Sequence, residues 1–317
     1  MKNNATENSD IAISVEGLSK SFGKTRALDG ATLSVKRGEI FGILGPDGAG
    51  KTTMMRIIAG LMPYEAGSVK VLSRDLAGGP GDLCDHIAYM PQRFGLYEDL
   101  SVAENIYFYS DLYNMKRGPE LDGRIDELLN FCRMAPFKRR FAGKLSGGMK
   151  QKLALTCALI HTPVLLLLDE PTNGVDPVSR REFWKILQNM LATGVTIFVS
   201  TTYLDEAERC NRIAFLNNGK ITAVGTPKKL KSDSAKKMWK LETSDKFAAV
   251  EILKSVEGVV SSYIMGSAVH IFTLREAPED VLRTAITGSL KAKGLEVGKF
   301  ESITANLEDI FIEQIGS

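Results

Sequence analysis

The stretch Gly45-Pro46-Asp47-Gly48-Ala49-Gly50-Lys51-Thr52 decides the fold. It fits the pattern G-x-x-x-x-G-K-[ST], and the chemistry needs those residue types. Glycines let consecutive backbone N–H groups curl around phosphate oxygens, and a helix starting directly afterwards points its positive end at them. Lys51 is the residue to reach the β- and γ-phosphates, Thr52 to hold Mg²⁺ through its hydroxyl, and Thr53 to add an α-phosphate contact from the first helical turn. The context agrees: an apolar run, residues 40–44, precedes the loop, and a helical pattern over 51–61 follows it and stops at Pro63.

Outward from the loop, residues 11–44 read as strands, in apolar runs at 11–16, 31–35 and 40–44, and residues 64–91 as short strands with turns. The text turns helical from about residue 96 to 160, with Ser101 and Glu104 spaced as a capping box. Residues 164–168 form a fully apolar run, as in a buried parallel strand. A helix at 178–193, a strand at 195–200, a helix at 204–210 and a strand at 213–216 follow. This alternation predicts a doubly wound α/β domain with the helical block 96–160 inserted. Residues 225–237, rich in Lys, Ser and Pro, read as a linker, placed at 228–237. Beyond it the order βαββαβ over 238–317 matches a small α+β, ferredoxin-like split βαβ unit.

Composition limits the function. The chain has 317 residues, which suggests two domains, and 40 Lys plus Arg against 38 Asp plus Glu leave a net charge of +2. That balance gives no support to nucleic-acid binding by bulk charge. The four cysteines show no metal-ligand spacing and suggest free thiols in a reducing compartment. Residues 1–10 are polar, which predicts no secretory signal. The apolar runs fall far short of the ~20 residues that span a bilayer, which predicts no membrane crossing.

Two more segments carry chemistry. Residues 164–168 lead into Asp169 and Glu170. A strand ending in carboxylates presents them at the edge where open α/β sheets bind ligands. Asp169 would bind Mg²⁺, largely through water, and Glu170 would polarise the attacking water as general base. The same pair also reads as an acidic cap on the next helix, and the phosphate loop tips the reading to catalysis. Then Leu145-Ser146-Gly147-Gly148-Met149 precedes a helix and forms a second anion nest. Alone it is a common loop sequence. Two nests a hundred residues apart suggest a head-to-tail dimer, with each nucleotide between one subunit's phosphate loop and the other's Ser146–Gly148 segment.

With these residues in order, the sequence resembles the ATP-binding subunit of an ABC transporter, a P-loop NTPase of the ABC ATPase type, over about residues 11–227. Residues 45–53 resemble the Walker A loop, Gln92 the Q-loop glutamine, 145–149 the ABC signature, 165–170 Walker B, and Gly174-Val175-Asp176-Pro177 the D-loop. Phe22 stands where the family stacks an aromatic on adenine, although a Phe by itself is more often a core aromatic. By resemblance Gln92, otherwise a surface glutamine, senses Mg²⁺ and the γ-phosphate. Met149-Lys150-Gln151-Lys152 and Leu307-Glu308-Asp309-Ile310-Phe311 resemble the subfamily that drives ABC-2-type exporters of drugs, lipids or polysaccharides. The resemblance implies an ATPase using ATP and Mg²⁺. Its implied partners are a second ATP-binding subunit and an integral-membrane permease, on the cytoplasmic face of the inner membrane. Gln92 to Glu98 and the helix after Ser101 would receive the permease. The C-terminal unit would serve dimer or regulatory contacts. The rival readings are a soluble ABC ATPase and a binding-only regulatory subunit.

The sequence departs from the family in three places. Asp47 replaces an asparagine and adds a charge beside a polyphosphate. Met149 replaces the signature glutamine. Thr202 stands where the family has a histidine contacting the γ-phosphate. A hydroxyl can donate a hydrogen bond but carries no positive charge and lacks the reach of imidazole. The hypotheses that follow are slow hydrolysis at this chain's own site, or pairing with a different, competent ATP-binding subunit. His270 reads as structural. The basic run Lys228, Lys229, Lys231, Lys236 and Lys237 reads as a solvated linker, with anionic lipid headgroups as the alternative.

Overall fold

A computed structural model describes residues 10–232, 236–274 and 278–315. The polar segment 1–9 lies outside the described residues. The chain divides into two compact units, Met1–Thr226 and Pro227–Ser317.

In the first unit, β1 (Ile11–Phe22) and β2 (Thr25–Lys36) form a long hairpin, joined by β4 (Ala66–Val71) and β5 (Arg74–Asp75) in an antiparallel sheet of order β2-β1-β4-β5. These strands outrun the short apolar runs in the sequence. Register shifts absorb Gly17 and the polar residues after it, so pairing continues to Phe22 opposite Thr25 after the alternation has failed. The second sheet has the order β10-β9-β3-β8-β7-β6. Its strands are β3 (Ile40–Leu44), β6 (Ile87–Met90), β7 (Leu165–Asp169), β8 (Thr196–Thr201), β9 (Arg212–Asn217) and β10 (Lys220–Gly225). The pairs from β9 to β6 are parallel and β10 is an antiparallel edge.

Helix α1 (Lys51–Ile58) lies in the core with both sheets. Met54, Met55, Ile57 and Ile58 are buried with Ile13, Val15 and Leu33 of one sheet and Phe41, Ile43 and Leu167 of the other. The helix ends earlier than the sequence pattern. Gly60, at φ +72°, follows the C-cap; its N–H bonds to Ile57 O at 2.9 Å and the Leu61 N–H to Arg56 O at 2.9 Å. That left-handed Gly turn, and not Pro63, terminates the helix.

The helical insert contains α2 (Val102–Leu112), α3 (Pro119–Phe131) and α4 (Gly147–Ala158). Ser101 and Glu104 form the expected capping box: Glu104 N donates to Ser101 Oγ at 3.2 Å and Ser101 N to Glu104 Oε2 at 2.7 Å. The fully buried Asn105 holds residues 97–101 through its side chain, accepting from Tyr97 N at 2.9 Å and donating to Tyr97 O at 3.0 Å. Helix α5 (Pro177–Ala192) follows β7, and α6 (Leu204–Ala207) follows β8. α6 is shorter than the 204–210 expected.

The second unit begins with α7 (Pro227–Ser232). Residues 228–232 are therefore helical where a linker was expected, and residues 236–237 already belong to β11 (Lys236–Thr243). Proline at the first position and lysines toward the end suit a helix, a pattern that Lys-Ser-Pro composition hides. Residues 233–235 of that linker lie outside the described residues. After β11 come α8 (Lys246–Leu253), β12 (Val259–Met265), β13 (Ala268–Leu274), α9 (Glu279–Ala292), β14 (Val297–Ile303) and α10 (Leu307–Ile315). The sheet is antiparallel throughout, in the order β12-β13-β11-β14. Trp239, Leu241, Val269 and Ile271 share a core with Ala249 and Leu253 of α8 and Leu282, Ile286 and Leu290 of α9.

Candidate nucleotide site

The loop 45–50 joins the C-terminal end of β3 to α1, so the ends of two buried elements fix it. Gly45 passes so close to β9 that a Cβ there would lie 2.3 Å from Leu216 O, and one on Gly50 would lie 2.3 Å from Ala27 O. Gly48 and Gly50 have φ of +78° and +108°, which other residues rarely adopt. Pro46 is half-buried and Ala49 is buried. The loop borders a cavity of about 380 Å³.

Asp47, Gly48, Gly50, Lys51, Thr52 and Thr53 line one side of that cavity. Phe22, 48% exposed at the tip of the β1–β2 hairpin, lines it beside Ala27. Gln92, Glu170 and Asn173 complete its lining. Asp47 is exposed, so solvent screens its charge.

Three groups converge on the Glu170 carboxylate. Lys51 Nζ lies 3.0 Å from Oε1, Gln92 Nε2 donates to Oε2 at 3.0 Å, and Asn173 Nδ2 donates to Oε2 at 3.2 Å. The buried Lys51 also donates to Gly45 O at 2.8 Å and Pro46 O at 3.0 Å, so all three of its protons are engaged. Glu170 has φ +48°, a left-handed conformation costing about 1–3 kcal/mol for a residue with a side chain. Its N–H donates to Ser200 Oγ at 2.9 Å, and the same hydroxyl donates to Asp169 Oδ1 at 2.8 Å. Asp169 is buried beneath the cavity and does not line it. Tyr89 OH donates to its other oxygen at 3.4 Å. Burial and the Asp169 carboxylate push the Tyr89 phenol up to about 12, so it stays a donor at neutral pH.

Asn173, Ser200 and Tyr89 were not singled out from the sequence. Asn173 had a local signal, because its N–H closes a turn onto Glu170 O at 3.1 Å. Ser200 meets Asp169 only through the parallel register of β7 and β8.

Two groups of expected residues stand apart from the cavity. Thr202, half-buried one residue beyond β8, does not line it; the threonine side chain is too short to reach in from there. Ser146, Gly147 and Gly148 open α4 elsewhere on the unit. Ser146 Oγ caps the helix by accepting from Met149 N at 3.4 Å, and Ser146 and Gly147 are exposed. Gly148 is buried, and a Cβ on it would lie 2.4 Å from Ser179 Cβ in the first turn of α5. Asp176 caps α5, accepting from Val178 N and Ser179 N at 3.0 Å each.

The candidate metal donors, Thr52, Gln92 and Asp169, offer a hydroxyl, an amide and a carboxylate. Among the described residues no group of three or more His, Cys, Asp or Glu could hold a metal ion. An all-oxygen, low-charge set of this kind fits Mg²⁺, which takes its remaining ligands from phosphate and water.

A glycine-rich loop between a central parallel strand and a buried helix, facing a lysine-held carboxylate, defines a P-loop nucleotide-binding cassette. The sequence profile of the ABC transporter family matches residues 28–173. The chain is 33% identical to the daunorubicin/doxorubicin resistance ATP-binding protein DrrA of Streptomyces peucetius, over 96% of this chain and 92% of that protein. It is 39% identical to the "Probable multidrug ABC transporter ATP-binding protein YbhF" of Escherichia coli (strain K12), over 97% of this chain; it spans 52% of that relative's length, about half. A solved dimeric ATP-binding cassette, described in a post-hydrolysis state bound to ADP and Pi, superposes with a TM-score of 0.61 at 26% identity, covering 68% of this chain and 98% of that one. The chain belongs to the family of ABC transporter ATP-binding proteins.

Proposed function

We propose that this chain is the ATP-hydrolysing subunit of an ABC-2-type exporter, acting as a dimer of ATP-binding subunits beneath a membrane-embedded permease. The observation that carries the reading is the convergence of Lys51, Gln92 and Asn173 on Glu170 inside the P-loop cavity. The multidrug-transporter and drug-resistance names of the relatives support the transport class. Among the described residues no helix is long and apolar enough to cross a membrane. The proposal pairs the chain with a separate permease and binds it peripherally at the cytoplasmic face of the inner membrane.

The amides of residues 45–51 and the N-terminus of α1 wrap the phosphates of ATP. Phe22 stacks on the adenine. A γ-phosphate oxygen replaces Glu170 Oε1 as an acceptor for Lys51. That exchange frees the carboxylate to take a proton from water as it attacks the γ-phosphorus, while ADP leaves. Thr52, Gln92 and, through water, Asp169 would hold Mg²⁺, which would supply charge neutralisation at the phosphates. Ser146 to Gly148 of the second subunit close over the γ-phosphate. Gln92 reports nucleotide state to the insert, where the tilted aromatic pair Phe94 and Tyr109 (centroids 4.9 Å apart) and the exposed Tyr97 form the surface offered to the permease.

Glu170→Gln is the test. Phosphate release falls by about 10²–10³-fold while MgATP binding persists. A variant that hydrolyses ATP at the wild-type rate removes Glu170 as general base.

A slower or asymmetric engine is the second reading, and Thr202 favours it. Pairing with a different ATP-binding subunit would give one weak site and one competent site. A homodimer with full activity would defeat that arrangement.

A further inference from the structure

Beyond the last ladder pair of β7 and β8, Asp169 opposite Ser200, no β7–β8 pairing joins the two turns that follow, and the last sheet pair on the β8 side is Thr201 with Leu44 of β3. One turn carries Glu170, the other Thr202. Between them lies a carboxylate that the mechanism does not use. Glu206 is 1% exposed. Its Oε1 accepts from Thr172 Oγ1 at 2.5 Å and from Arg180 Nε at 3.1 Å, and its Oε2 accepts from Thr201 Oγ1 at 2.7 Å.

Each partner belongs to a different functional segment. Thr172 is two residues after Glu170. Thr201 is the residue before Thr202, and its hydroxyl also accepts from Tyr203 N at 3.0 Å. Arg180 lies in the first turns of α5, which Asp176 caps and against which Gly148 packs. Arg180 grips the Thr202 side further, bonding Asp205 Oδ1 at 2.8 Å and covering the Tyr203 ring at 3.9 Å.

We propose that Glu206 is a positioning residue for hydrolysis: its buried carboxylate locks the Thr201–Tyr203 segment to the Glu170 turn and to α5. The proposal rests on the hydrolytic reading above. A buried carboxylate needs its charge and hydrogen-bonding capacity satisfied, and here the residues that satisfy it flank the reacting groups. It touches neither phosphate nor water. Its effect runs through the placement of Glu170 and residue 202, where a displacement near 1 Å costs up to about 10²-fold in rate.

The test compares Glu206→Gln, Thr172→Val and Thr201→Val in the full-length protein, measuring inorganic phosphate release, MgATP binding and melting temperature. The glutamine keeps the shape and removes the charge that holds Arg180. Each valine keeps the shape and removes one donor. The expected result is kcat lowered about 10- to 10²-fold in Glu206→Gln and by a smaller factor in each valine variant, with the MgATP Kd within about twofold of wild type. A merely structural role moves Kd and melting temperature with kcat. That pattern in the valine variants, or a folded Glu206→Gln with wild-type kcat, overturns the proposal. If Glu206→Gln does not fold, the valine pair decides alone. Wild-type protein that releases no phosphate sinks the hydrolytic reading and this proposal with it. Wild-type turnover with unchanged kcat in the variants sinks only this one.

Discussion

Glu170 combines a left-handed backbone, a buried ion pair and two amide donors at one residue. The turn strains the backbone, and Ser200 holds it by tying Glu170 N–H to Asp169. Residue 202, by contrast, carries a group too short for the cavity. We predict that Thr202→His raises kcat at least about tenfold, because one recovered transition-state contact is worth about 10²–10³ in rate. Steady-state phosphate release measures it, and an unchanged rate removes Thr202 as the cause of slow turnover. The sequence exposed the departure at 202. It did not expose Asn173 or Ser200, since one depends on a turn and the other on strand register.

Short-range chemistry fixes the elements. Ser101→Ala removes one half of the capping box, and we predict a loss of about 1 kcal/mol in urea unfolding, with α2 fraying first. The same unfolding midpoint in wild type and variant would remove the cap as a stabilising element. Other boundaries were equally local but were not read. Gly60 ends α1 through its left-handed turn. Asn218 and Gly219, at φ +47° and +77°, turn β9 into β10; Asn-Gly is a strong local hairpin signal for this edge strand. In the second unit, Asp309 of the Leu307–Phe311 segment is fully buried. It accepts from Tyr263 OH at 2.6 Å and from Asn306 N at 2.7 Å and contacts His270 Nδ1 at 2.8 Å. That makes His270 and Asp309 anchors of α10 on its sheet. Lys236 and Lys237 of the basic run stand in β11 and pair with Glu313 and Glu279, so their charges are balanced inside the unit and speak against lipid headgroups as their partners.

At the scale of the molecule, the open question is whether one chain completes the site. Ser146 and Gly147 are exposed, and a Cβ on Gly147 meets nothing within 4 Å. The signature segment therefore faces outward and does not line its own cavity. We predict that Ser146→Arg costs no more stability than the about 1 kcal/mol of its lost helix cap, leaves MgATP binding to the single chain unchanged and abolishes ATP-dependent dimerisation. Light scattering in a Glu170→Gln background reads this out. A dimer that persists would rule out the intermolecular nest.

The sequence by itself determined the phosphate loop, the strand carrying Asp169 and Glu170, the capped insert and the βαββαβ order, because each is written in contiguous residues whose geometry is local. Only the tertiary structure decided what stands around Glu170. Gln92 and Ser200 reach it from separate segments, Asn173 folds back on it within one turn, and the buried Glu206 ties the Thr172 and Thr201 sides together across the gap. Such meetings depend on strand register and on burial of polar groups that must find partners, and neither is carried by any one stretch of sequence.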